Sequence, residues 1–176
     1  GKVTGELHEE LPADLPTHTK DAPQLFFGVM APWNRAYRRT LFTEGGIRFA
    51  TKVWYEDIRI VTKVLALAEQ VVRLPGAYYH YLQREGSAMN NKNCARNVEI
   101  LYAFDDILGW FGEHGLREAY RDELTFLAIS HLLIAASVRV ARIDCKSELL
   151  GQFRDYMEKN FPDFRENRYL PRLDRN

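Results

Sequence analysis

The stretch Leu124-Thr125-Phe126-Leu127-Ala128-Ile129-Ser130-His131-Leu132-Leu133-Ile134-Ala135-Ala136-Ser137-Val138-Arg139-Val140 is the longest apolar run in the chain and decides its class. Thr125, Ser130, His131, Ser137 and Arg139 interrupt it. It therefore falls short of the ~20 apolar residues that a bilayer span requires and reads as the centre of a buried core helix over residues 117–143. Helical patterning continues on both sides. Val98, Leu101, Phe104, Leu108 and Phe111 mark an amphipathic helix that breaks at Gly112 to Gly115, and Leu149, Leu150, Phe153 and Met157 mark another over 146–159. Beyond it, Pro162, Pro171 and mixed charges predict a loosely held tail.

Upstream the character is mixed. Trp54, Ile58, Val61, Leu65 and Ala68 recur at spacings of four and three, which predicts a helix beginning near Tyr55 with Glu56 and Asp57 in its first turn. Residues 70–74 read as a short strand, Pro75-Gly76 as a turn, and 77–83, with Tyr78, Tyr79 and Tyr81, as a second strand. Residues 85–87 break that pattern as a loop. Trp33 to Phe42 is basic and aromatic and reads as a short helix stopped by Gly45-Gly46. The run Leu25 to Met30 fits strand or helix equally, and residues 1–22 read as an extended surface segment. No internal repeat is present. The predicted class is α+β, predominantly helical, with a mixed first half and an all-helical second half.

Composition narrows the function. The 176 residues carry 24 Lys and Arg against 24 Asp and Glu, for a formal charge of zero, whereas a dedicated nucleic-acid binder would show a basic excess. At 46% hydrophobic and 27% charged residues the chain has the make-up of an ordinary globular domain. Cys94 and Cys145 are widely separated and form no CxxC pair. Two unpaired, buried thiols in a reducing compartment are expected, rather than a zinc site or disulfide framework. No apolar signal region opens the sequence and no transmembrane segment is expected.

Tyr55-Glu56-Asp57 is the sharpest candidate for chemistry. Carboxylates at a helix start are often purely structural, because the helix dipole favours negative charge there. A carboxylate held by a helix start and flanked by aromatic rings can also serve as a general base. Arg84 and Ser87, in the loop Gln83-Arg84-Glu85-Gly86-Ser87, could bind phosphate or form a solvated turn. Arg35, Arg38 and Arg39, with Trp33 and Tyr37, could border an acidic or carbohydrate ligand. His80 lacks the partner spacing of a metal ligand, and His131 fits a hydrogen-bonded core residue. Neither a phosphate loop nor an Asp-x-Asp pair occurs.

Three segments in fixed order resemble the family 2 glycosyltransferases of the GT-A fold: Pro32-Trp33-Asn34-Arg35-Ala36-Tyr37-Arg38-Arg39 with Ile47-Arg48-Phe49, then Tyr55-Glu56-Asp57, then Tyr78 to Ser87. His80, Leu82 and Ala50 depart from the family pattern. The resemblance implies that residues 1–90 are the acceptor-side, C-terminal part of a GT-A domain, 91–160 a helical extension and 161–176 a tail, without the nucleotide-binding half. The implied activity is inverting, hexosyltransferase-like transfer from a nucleotide sugar to a glycan or other hydroxyl acceptor, as in polysaccharide biosynthesis. Asp57 would be the base with Glu56 its neighbour, Arg84 and Ser87 would face the donor diphosphate, and Trp33, Asn34 and Arg35 would lie on the acceptor side.

The resemblance places no cofactor in this chain and Mg or Mn in a full-length parent. It places the protein in the cytoplasm or at the inner membrane face. An isolated piece of this kind is expected to be inactive and to self-associate through an exposed sheet edge. The competing expectation from another class is a non-catalytic helical module that binds a partner protein. A hydrolase using Glu56 and Asp57 as an acid/base pair fits less well, since adjacent helical residues point about 100° apart.

Overall fold

A computed structural model describes residues 11–76, 78–80, 82 and 94–175. The chain divides into two compact units, one formed by residues 1–51 and 56–90, the other by 52–55 and 91–176.

The first unit is organised around helix α2, Glu56–Leu67. Ile58 and Ile60 to Leu65 are all buried, so the helix is enclosed on most of its circumference. It packs against the turns Pro23–Phe26 and Pro32–Asn34 and the short helix α1, Thr40–Thr43. Leu25, Phe26, Met30, Ala31 and Ile47 complete this core. Thr62 can be buried in it because its hydroxyl donates to the Ile58 carbonyl at 2.6 Å.

Strands β1, Pro16–His18, and β2, Gln70–Val72, form a two-stranded antiparallel sheet with Thr17 opposite Val71. The Thr19 hydroxyl donates to the Ala68 carbonyl and the Arg73 guanidinium to the Leu11 carbonyl. Residues 11–22 are thus tied to the end of α2, a mostly exposed segment in which Leu11, Thr19 and Ala22 are buried.

Two local expectations are corrected here. Residues 33–42 do not form one helix. Pro32 starts a 3-10 turn, Arg35 is extended at φ −137° and ψ 148°, and regular helix begins only at Thr40. The Arg35 side chain bonds the Val29 and Ala31 carbonyls and so braces the turn against helical continuation. The strand expected at 70–74 exists in part, but its partner is β1 and not the segment after Pro75-Gly76. Gly76 sits at φ 117° and the Tyr78 hydroxyl donates back to the Pro75 carbonyl at 2.7 Å, which folds the chain onto the turn. Residues 78–80 and 82 are not strand, and 77, 81 and 83 lie outside the described residues.

Gly45 is required by close approach. A Cβ there would lie 2.3 Å from the Leu41 carbonyl oxygen and 2.6 Å from Leu67 Cδ1. Gly45→Ala is expected to lower stability by about 1–3 kcal/mol, measured as a lower urea midpoint at unchanged slope.

The second unit is helical. Helix α3, Glu99–Glu113, buries Phe104, Leu108 and Phe111 of the expected stripe together with Ile100, Ala103 and Ile107, while Leu101 is half-buried and Val98 precedes the helix. A long helix follows in three parts: α4, Arg121–Ala128; a π-helical segment, Ile129–Ala136; and α5, Ser137–Ile143. It starts four residues later than expected because residues 117–120 form turns after Gly115, at φ 66°. By length and composition this 23-residue helix could cross a membrane, but half of its apolar window is buried inside the protein. Leu124, Leu127, Leu132, Ala136 and Val140 form its inner face.

Helix α6, Leu149–Asn160, buries Phe153 and Met157. The residues after it form a docked segment instead of a loose tail. Phe161 meets Phe104 edge-on at 6.3 Å, Asn167 donates to the Asp122 carbonyl at 2.9 Å, and the Tyr169 hydroxyl donates to the buried Glu123 carboxylate at 2.6 Å. Cys94 and Cys145 are both free thiols but are not buried as expected: Cys94 is half-buried and Cys145 exposed.

The π-helical segment also carries a titration effect. Burial, and to a lesser degree the Arg139 guanidinium, push the His131 imidazole down from 6.5 to about 4. Between those values the unfolded chain binds a proton that the folded chain refuses, so stability falls as pH drops through that window and is flat above it. His131 retains some solvent contact, and the loss between pH 7 and pH 4 is expected to be about 2 kcal/mol. Urea titrations of wild type and His131→Gln should show this part of the slope only in wild type.

Candidate functional site

Helix α2 presents the acidic pair at its N-terminus. Glu56 is exposed and Asp57 half-buried, as the ~100° step between adjacent helical residues requires. Asp57 Oδ1 accepts from the Ile58 amide at 2.7 Å, which satisfies one of the first-turn N–H groups that lack an intrahelical acceptor. The carboxylate is therefore both held in place and useful to the helix start.

The same unit carries the other aromatic and basic candidates. Trp33, 40% exposed, stacks on Tyr79, 52% exposed, with ring centroids 4.8 Å apart and planes 25° from parallel. The Pro32–Asn34 turn packs on α2. Segments far apart in sequence, at 32–34, 56–57 and 79, thus belong to one compact unit. Such a ring pair offers a flat apolar face with polar edges, a surface suited to stacking on a ring-shaped ligand.

Arg35 is placed differently from its expected acceptor-facing role. Its Nη1 donates to the carbonyls of Ala31 at 2.7 Å and Val29 at 3.1 Å and to Asn34 Oδ1 at 3.0 Å. Burial pushes its guanidinium below the usual arginine range and pushes the Tyr37 phenol above the usual tyrosine range, while the attraction between the two opposes both shifts. Arg35 thus works as an internal brace for Trp33 and Asn34. Arg38 and Arg39 are exposed. Arg84 and Ser87 lie outside the described residues.

No family model, no curated protein and no solved structure matches this chain.

Among the described residues no three His, Cys, Asp or Glu side chains gather into a group that could hold a metal ion. His80 is exposed. The described residues therefore offer no group of this kind to Mg or Mn.

A set of residues that sequence reasoning missed surrounds the loop before α2. In the helical unit, Tyr55, Asn97 and Arg139 form one hydrogen-bonded group, and Trp54, Arg96 and Glu99 form another. Asn97 is a polar residue with no solvent exposure at all. The only sequence signal for it is its place just before an amphipathic helix, which does not separate it from an ordinary helix-start residue.

Proposed function

We propose that the chain is the acceptor-side portion of a family 2 glycosyltransferase, with residues 1–90 belonging to a GT-A-type domain and 91–160 to its helical extension. The observation that carries this reading is the Trp33–Tyr79 stack in the same unit as the Glu56-Asp57 helix start. It joins residues from the first and third resembling segments beside the helix that bears the second.

In this mechanism Asp57 accepts the proton of the acceptor hydroxyl as that oxygen attacks the anomeric carbon of the nucleotide sugar. The bond from that carbon to the diphosphate breaks, and the diphosphate leaves with the bonding electrons. Glu56 adds negative charge on the acceptor side. Trp33 and Asn34 flank the acceptor, and Arg35 holds their turn. Arg84 and Ser87 are assigned to the departing diphosphate, whose growing charge needs hydrogen-bond donors. The donor nucleotide, with any Mg or Mn, is assigned to a nucleotide-binding half outside these 176 residues. The isolated chain is therefore inactive on this reading.

The test is a donor screen with the protein expressed from its whole reading frame, wild type against Asp57→Asn. Transfer lost with donor binding retained supports the assignment. Equal transfer by both proteins overturns it, and transfer by the 176 residues alone overturns the partial-domain reading.

A second reading, a non-catalytic helical interaction module, is favoured by Ile134 and Val138. They are four residues apart on one helix and 41% and 44% exposed. Their replacement by Ser would abolish partner capture under that reading and leave sugar transfer unaffected under the first.

A further inference from the structure

We propose that Tyr55 is a positioning residue for the acidic pair: its hydroxyl, held between Asn97 and Arg139, fixes the left-handed backbone turn that leads directly into Glu56 and Asp57. The proposal rests on the glycosyltransferase reading for the pair's role, but not for the anchoring.

Tyr55 has φ 62°, a conformation that residues with bulky side chains rarely adopt. Such a conformation persists where the surroundings over-determine it, and here they do. The Tyr55 hydroxyl donates to Asn97 Oδ1 at 3.0 Å and accepts from Arg139 Nη1 at 2.9 Å. The Arg139 guanidinium also lies 5.7 Å from the Tyr55 ring centroid. Asn97 is itself fixed, since its Nδ2 donates to the Cys94 carbonyl at 3.0 Å.

The preceding residues are held as firmly. The Trp54 amide donates to Glu99 Oε2 at 2.7 Å, while Arg96 bonds Glu99 Oε1 at 2.6 Å and lies 4.7 Å over the Trp54 ring. Lys52, also at φ 62°, gives its carbonyl to Arg96 Nη2 at 3.4 Å. Residues 52–55 thus group with the helical unit although the chain on either side belongs to the other. An ordinary helix start needs a capping side chain and a standard extended backbone. This one has a tyrosine in a left-handed turn, with its side chain spent on distant partners, directly before the carboxylates.

The experiment has two arms. In the first, amide hydrogen exchange of the 176-residue chain is compared between wild type, Tyr55→Phe and Arg139→Met. Exchange at Ile58, Arg59 and Ile60 is expected to rise about tenfold in both variants, the scale of losing one hydrogen bond, with the interior of α3 unchanged. Unchanged exchange at these positions in Tyr55→Phe overturns the proposal, whatever the protein catalyses.

In the second arm, the protein from the whole reading frame is assayed for transfer. Tyr55→Phe and Arg139→Met are each expected to lower kcat about tenfold at constant acceptor KM, and Arg139→Lys, which keeps a donor, to lose much less than Arg139→Met. Raised exchange with unchanged kcat overturns the positioning role. A wild type without transfer, or one insensitive to Asp57→Asn, refutes the glycosyltransferase reading instead, and the exchange arm still decides whether Tyr55 fixes the turn.

Discussion

Asp57→Asn is expected to lower sugar transfer by about 10²–10⁴-fold, the usual contribution of a general base, with little change in stability. The substitution suits the question because it separates two roles of one side chain. Asn keeps the oxygen that accepts from the Ile58 amide at 2.7 Å, so the helix start retains its satisfied donor. What is lost is the charge, worth only about 0.3–1 kcal/mol at a helix N-terminus, and the ability to take a proton. A large fall in kcat with an almost unchanged urea midpoint therefore identifies proton transfer. Loss of stability without loss of transfer would identify a purely structural carboxylate. Glu56→Gln serves as the comparison. Glu56 is exposed and points about 100° away, and its replacement should cost about tenfold at most if it acts only through its charge.

Phe104→Ala is expected to destabilise the helical unit by about 3–5 kcal/mol, the cost of emptying a large aromatic site in a closed core. Phe104 has no solvent exposure and its ring meets Phe161 edge-on at 6.3 Å. Phe161 stands just beyond α6, so the cavity would open beneath the docked C-terminal segment. Phe161→Ala should cost less, because its ring lies nearer the surface and the segment can settle into the gap. Chemical unfolding followed by circular dichroism reads both. A loss for Phe104→Ala below about 1 kcal/mol would mean that the core refills around the missing ring.

The helices were legible where apolar spacing did the work. Phe104, Leu108 and Phe111 of the expected stripe are buried in α3, although Val98 and Leu101 are only half-buried, and α2 begins at Glu56 as the Trp54 to Ala68 spacing predicts. Legibility failed where a side chain or turn overrode local preference. Arg35 spends its guanidinium on the carbonyls of its own turn, which no periodicity announces, and the chain stays extended where a helix was expected. Strand β2 was visible as a run of β-branched residues. Its partner was not, because Pro16–His18 pairs with it across a long sequence separation. The C-terminal segment looked loose because its prolines and charges hide three anchors, Phe161, Phe164 and Asn167, which are too sparse to form a pattern.

Of the candidate site, the carboxylates and Trp33 could be named from sequence. The Trp33–Tyr79 stack and the Tyr55 anchor depend on contacts across 46 and 84 residues, the latter to Arg139, and required coordinates.

The π-helical segment bears on how this helix tolerates change in length. From Ile129 to Ala136 the backbone closes wider turns than an α-helix does, with five-residue rather than four-residue spacing between bonded groups. Rewinding the segment as α-helix at unchanged length would swing everything downstream by roughly 100°, so Val140 would leave the core and Arg139 would lose the Tyr55 hydroxyl. The wide turns take up about one residue of extra length and therefore act as a phase setting: removing one residue and rewinding as α-helix would leave α5 close to its present orientation.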